Sequence, residues 1–241
     1  MSNTTLSAQA LDFQRLNEKI RAAGAEVCVR DCCGQRFIGA GLGEKAITLY
    51  GTPGNALGAY LDGASIRVYG NAQDAVGDTM NGGQIIIHGG AGDALGYAMR
   101  GGSIYVRDSA GYRTGIHMKE YGDQKPVIVV GGRVGSFLGE YLAGGVLVVL
   151  GLGIAGPPAG DFIGAGMHGG KIFLRTDRPP AGLPDQVTAS AAGAEDLAEI
   201  EPWLQTFARC FGTDAALLLG SPYTVLRPNT KNPYKQLYVA N

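Results

Sequence analysis

Gly92-Asp93-Ala94-Leu95-Gly96-Tyr97-Ala98-Met99-Arg100-Gly101-Gly102-Ser103-Ile104-Tyr105-Val106 is one period of a pattern that recurs seven times. Its centre is Gly96, with counterparts at Gly39, Gly58, Gly77, Gly115, Gly139 and Gly164. The first four intervals are 19 residues, and the last two are 24 and 25, or 19 plus insertions of five and six. A period near 20 residues marks a solenoid, in which each unit buries its apolar face only against its neighbours.

Apolar residues keep register with those glycines. The preceding position holds Ile38, Leu57, Val76, Leu95, Thr114, Leu138 and Ile163; three residues after the glycine come Leu42, Leu61, Met80, Met99, Met118, Leu142 and Met167. Further on run Ile47, Ile66, Ile85, Ile104, Ile128, Leu147, Ile172 and, two residues later, Leu49, Val68, Ile87, Val106, Val130, Val149, Leu174. Spacing by two places both columns on one face of a strand. Glycine pairs such as Gly82-Gly83 and Gly169-Gly170 supply corners that other residues reach with difficulty. The expected fold is an all-β core: a single-stranded, right-handed parallel β-helix of about seven coils with α-helical N- and C-terminal caps. At roughly 4.8 Å per rung, it would be about 34 Å long. A sandwich of antiparallel hairpins is the rival, disfavoured by equal spacing. A left-handed coil would show a six-residue period, which is absent.

Three segments follow: 1–36 as a helix-and-strand cap, 37–175 as the β-helix, and 176–241 as linker, helix and extended tail. Residues 6–23 read as a helix ending near Gly24, followed by a strand over 26–30. Thr176 to Gln186 is proline-rich; a helix is expected from Glu195 to about Phe211, unless Pro202 makes it begin afresh near Glu201. The tail from Ser221 should lie extended over a surface, anchored by Tyr234, Leu237, Tyr238 and Val239.

Net charge is −1 and charged residues make up 17% of the 241. That opposes an electrostatic nucleic-acid binder. With no long apolar run and no signal-peptide pattern at Met1-Ser2-Asn3-Thr4-Thr5, the sequence reads as a soluble cytoplasmic protein without a membrane span. Cys28, Cys32, Cys33 and Cys210 lack paired C-x-x-C spacing, so reduced thiols are expected; Cys32-Cys33, beside the first coil, keeps a redox role open. His88, His117 and His168 occupy different registers and form no metal column. Asp74, Asp78 and Asp93 lie among turns without an acid pair for general acid–base work. No catalytic, cofactor or metal residue is assigned.

Two features point to contact. Arg113-Thr114-Gly115-Ile116-His117-Met118-Lys119-Glu120-Tyr121 is the densest polar and aromatic cluster and leads into the first insertion; the second insertion is Ile154-Ala155-Gly156-Pro157-Pro158-Ala159. Insertions in solenoids map to loops on one face. The outward strand position reads Thr48, Arg67, Ile86, Tyr105, Val129, Val148, Phe173, turning apolar from the third coil. Either the C-terminal segment or a partner must cover it. Candidate contact residues are Arg113, His117, Lys119, Tyr121, Tyr105 and Phe173.

The repeat resembles the GXGXG β-helix domain at the C-terminal end of the glutamate synthase large subunit, a likeness covering residues 34–175. The same repeat occurs in the β-helical component of formylmethanofuran dehydrogenase and its formyltransferase relatives. Arg113 to Tyr121, Gly160 to Gly170 and Pro233-Tyr234-Lys235-Gln236-Leu237-Tyr238 look more like the stand-alone glutamate synthase form, where the large subunit is split. The resemblance implies a non-catalytic packing body, inert alone, with no cofactor of its own. Its partners would be a glutamine amidotransferase and a synthase subunit with FMN and iron–sulfur clusters. The alternatives are a formyl-transferring subunit beside a molybdenum or tungsten protein, and an independent binding module.

Overall fold

The computed structural model describes residues 4–229. Strands β1 (Thr4–Ser7), β2 (Glu26–Cys33), β3 (Ala46–Thr52), β4 (Asp62–Tyr69), β5 (Gly82–Ile87), β6 (Ser103–Val106), β7 (Val127–Val130), β8 (Ala143–Val149) and β9 (Gly169–Leu174) pair in succession, each parallel to the next. This is the parallel β-helix expected from the columns. Ile47, Ile66, Ile85, Ile104, Ile128, Leu147 and Ile172 are register partners, all buried. The rungs number about eight, not seven, because β2 is itself a rung: Val27 and Val29 pair with Ile47 and Leu49 and join the same core.

The repeat glycines explain the period. A Cβ on Gly58 would lie 2.7 Å from Ile85 Cδ1 in the next coil; on Gly139 it would lie 2.7 Å from Ile172 Cδ1. From Gly39 to Gly139 each repeat glycine is therefore the seat for a residue of the next coil, an isoleucine everywhere except at Gly115, which seats Leu147. At Gly164, in the last coil, the neighbour is Val187 instead. Backbone bonds tie the same glycines to the coil before, Gly58 N–H to Ile38 O and Gly77 N–H to Leu57 O.

Both ends are closed. α1 spans Phe13–Ala22, with the Asp12 carboxylate accepting from Arg15 N–H. The sequence suggested a helix over 6–23; instead residues 4–7 form β1, because Leu6 pairs with Val29, and Ala10 at φ 58° separates the two elements. Asn17 Oδ1 accepts the Gly39 N–H at 3.2 Å, the bond a preceding coil would otherwise receive. Lys45 Nζ donates to the carbonyls of Ile20, Ala23 and Gly24 at the end of α1, where cationic groups are favoured. At the other end, β11 (Thr224–Pro228) pairs antiparallel with β9, and β10 (Val187–Ala191) with β11. The sequence reading placed no strand over 187–191. The anchors Tyr234, Leu237, Tyr238 and Val239 lie outside the described residues.

Candidate interaction surface

The outward face of the later rungs is covered by the chain itself. α2 (Ala194–Phe211) is one helix despite Pro202, with the Asp196 carboxylate accepting from Gly193 N–H and Gly212 in the left-handed conformation at its end. Ile200, Leu204 and Phe207 pack with Ile86, Tyr105, Val129, Val148 and Phe173 in a second core, joined by Leu218 of α3 (Ala215–Leu219). Tyr105 is 2% exposed and Phe173 0%. Both leave the partner-contact set: their apolar character serves the chain's own helix.

An ionic cluster clamps that helix. Lys171 on β9 meets Glu199 at 2.7 Å and Asp196 at 3.3 Å; Lys125, in the first insertion, meets Glu199 at 2.8 Å, and Arg227 on β11 meets Asp196. Burial pushes Asp196 and Glu199 up, but hydrogen bonds from Arg227, Lys171 and Lys125 outweigh it and hold both below the usual carboxylate range.

The other members of the contact set lie on the turn face. Each coil turns through three left-handed residues, at the repeat glycine and two positions to either side. Non-glycine occupants of the flanking sites have φ between 51° and 64°. Their recurrence in coil after coil makes the turn architectural; hydrogen bonds such as His117 N–H to Glu140 O run between successive turns. At this turn Arg113 pairs with Glu140 at 3.0 Å and lies 4.8 Å from the Phe137 ring centroid, and Phe137 stacks on Phe162 at 4.9 Å. His117 stacks on Tyr141 at 5.0 Å and meets Tyr97 edge-on at 5.9 Å. Phe162 is 59% exposed, Tyr112 53% and Tyr121 67%. Arg113 and His117 thus sit in the two separate columns of an aromatic–cation ladder, Arg113–Phe137–Phe162 and Tyr97–His117–Tyr141. Tyr and Arg are among the residue types enriched at interface hot spots. Lys119 and Tyr121 are exposed in the adjoining insertion, where Tyr121 bridges to Gln124. The sequence reading missed Tyr97, Phe137, Tyr141 and Phe162. Their signal was present: aromatics concentrate one or two places from the repeat glycine in the later coils.

The remaining candidates have structural explanations. Asn55, Asp74 and Asp93 form a ladder, each side chain accepting the backbone N–H one coil on, at Asp74, Asp93 and Tyr112. Asp78 accepts from the Thr79 hydroxyl. Cys32 is buried, and burial, then Asp31 and Cys28, push its thiol up to about 12, far from thiolate reactivity. His88 lies in a separate stack with Tyr69, and His168 Nδ1 is 3.2 Å from Gly166 O. Among the described residues, no three His, Cys, Asp or Glu side chains converge as metal ligands, and no helix is long and apolar enough to cross a membrane. The second insertion lines a cavity of about 460 Å³ with Ile163, Leu174 and Thr176 to Ala181.

Fold and surface together define a capped β-helix with glycine-seated coils and an exposed aromatic–cation ladder. The GXGXG motif profile matches residues 7–219, and the chain belongs to that family. An uncharacterised protein of Methanocaldococcus jannaschii is 40% identical over 253 residues, covering 99% of this chain and 97% of its own. Among solved structures, a chain of the formyltransferase/hydrolase complex of Methylorubrum extorquens, crystallised with methylofuran, superposes with a TM-score of 0.60 at 18% identity, covering 92% of this chain and 93% of that one. At that identity the likeness concerns the fold.

Proposed function

We propose that the chain is a non-catalytic assembly subunit of a cytoplasmic glutamate-synthase-type complex, in glutamate biosynthesis and ammonia assimilation. Its partners would be a glutamine amidotransferase and a synthase subunit holding FMN and iron–sulfur clusters. The observation that carries the reading is the turn-face ladder, which offers Arg113, His117, Tyr141 and Phe162 to a neighbour. Arg113 to Tyr121 and Gly160 to Gly170, the segments that resemble the stand-alone glutamate synthase form, contribute Arg113, His117 and Phe162 to it. A subunit of a formyl-transferring complex is the second reading, favoured by the near full-length superposition on a chain of such a complex.

Purification of the tagged chain from its native host tests both. The expected result is co-elution with amidotransferase and flavin, iron–sulfur subunits, and glutamine-dependent conversion of 2-oxoglutarate to glutamate by the complex. Recovery with a formyltransferase and a molybdenum or tungsten protein would establish the second reading; a lone stable chain would refute both.

A further inference from the structure

α2 roofs the outer sheet face from β5 onward, and near its end the Cys210 thiol reaches Arg67 on β4 by a hydrogen bond. Its last residue, Phe211, packs edge-on against His88, with centroids 5.1 Å apart. Beyond His88 the same column continues uncovered. Tyr69 stacks on His88 at 4.6 Å, Tyr50 on Tyr69 at 5.0 Å, and the Arg30 guanidinium lies 4.8 Å from the Tyr50 centroid. Tyr50 is 37% exposed and Tyr69 42%.

The chemistry of this strip is one-sided. Ring faces are spent on one another, with interplanar angles of 15° and 21°. What remains towards solvent are ring edges, phenol hydroxyls and guanidinium N–H groups, which carry positive charge or donate hydrogen bonds. Arg67 lies alongside, Nη1 at 3.2 Å from His88 Nε2. Burial, then Arg67 and Arg107, lower the His88 pKa, which favours the neutral ring that accepts this bond. Of the nearby carboxylates, Asp108 pairs with Arg107 at 2.9 Å, while Asp31, next to Arg30 in the chain, accepts only from the neutral Ser7 hydroxyl. Glu26 lies at the opposite end of β2 from Arg30. With the rings closed on one another, no slot is left for an inserted base, which argues against single-stranded nucleic acid.

We propose that this strip docks an acidic helix of a partner protein, laid end to end with α2 on the same sheet face. The molecule already uses this chemistry once: α2 approaches with Asp196 and Glu199 and meets Lys171. Carboxylates of the incoming helix would lie against Arg30, Arg67 and the two phenol hydroxyls. The proposal rests on the reading that the chain is a subunit of a complex.

The test places a photo-crosslinking benzoylphenylalanine at position 69 or, separately, at position 162 of the tagged chain. The complex is irradiated in the native host, and the linked peptides are identified by mass spectrometry. Position 69 is expected to link to a partner segment rich in Asp and Glu. Arg30→Glu should cut that yield about tenfold, as raised salt should after lysis, while the position-162 link persists as evidence of an intact fold. A position-69 link to a second copy of this chain, or to a segment without acidic residues, overturns the proposal. So does the absence of that link while position 162 still links. If neither position links to another protein, the assembly reading fails with it.

Discussion

At the scale of single residues, the glycines were legible and their reason was not. Counting intervals finds Gly39 to Gly164, but a left-handed backbone does not by itself require glycine here. Ala56 and Tyr60, flanking Gly58, are left-handed at φ 61° and 57°. The difference is room: a Cβ on Gly58 would lie 2.7 Å from Ile85 Cδ1 and 3.3 Å from Ile66 Cδ1. Gly58→Ala should destabilise the protein by about 2–4 kcal/mol, combining overpacking with the left-handed penalty. Ile85→Val, which removes the obstructing methyl, should cost about 0.5–1.5 kcal/mol alone. The double variant should be less destabilised than the sum by about 1 kcal/mol in denaturant titrations. Strict additivity would show that steric seating is not why the repeat is built on glycine.

At the scale of elements, the apolar turn of the outward column foretold a cover, and the helical spacing of Leu197, Ile200, Leu204 and Phe207 foretold what provides it. The ionic clamp could not be read. Lys125, Lys171, Glu199 and Arg227 are far apart in sequence, and only the folded β-helix and β11 bring them to one helix end. Asp196 and Glu199 are held below their ordinary values, so the stability they contribute is present above the unfolded carboxylate range near pH 4 and lost as pH falls through the depressed folded values. Lys171 is raised: burial pushes it down, but Glu199 and Asp196 outweigh that, so its contribution fades only as pH rises past the ordinary lysine range. Acidification below about pH 4 should therefore loosen α2 before the strands. The single tryptophan, Trp203, packs on the second core and reports the event. Its emission should shift to the red while the far-ultraviolet strand signal persists, and Lys171→Met should shrink the acid-dependent step. An unchanged step in that variant would mean the clamp does not hold the helix.

At the scale of the whole molecule, support is uneven along the axis, and order of opening should follow. α2 packs on the outward residues of β5 to β9, and β11 and β10 close the C-terminal end. β2 and β3 have no such roof, β4 meets α2 where Arg67 hydrogen-bonds Cys210, and β1, four residues long, is the outer edge. In a solenoid each coil contacts only its neighbours, so the less braced end opens at lower free energy. Amide exchange should be faster in β2 and β3 than in β6 to β8. Asn17 sets the difference, because it is 8% exposed and takes the Gly39 N–H that no preceding coil receives. Asn17→Leu leaves that donor unpaired, at a cost of about 1–3 kcal/mol, and should speed exchange at Gly39 and in β2 and β3 by roughly tenfold or more. The rates in β7 and β8 should hold steady. Equal acceleration from β2 to β9 would mean the coils open as a single cooperative unit, with both ends felt everywhere along the stack.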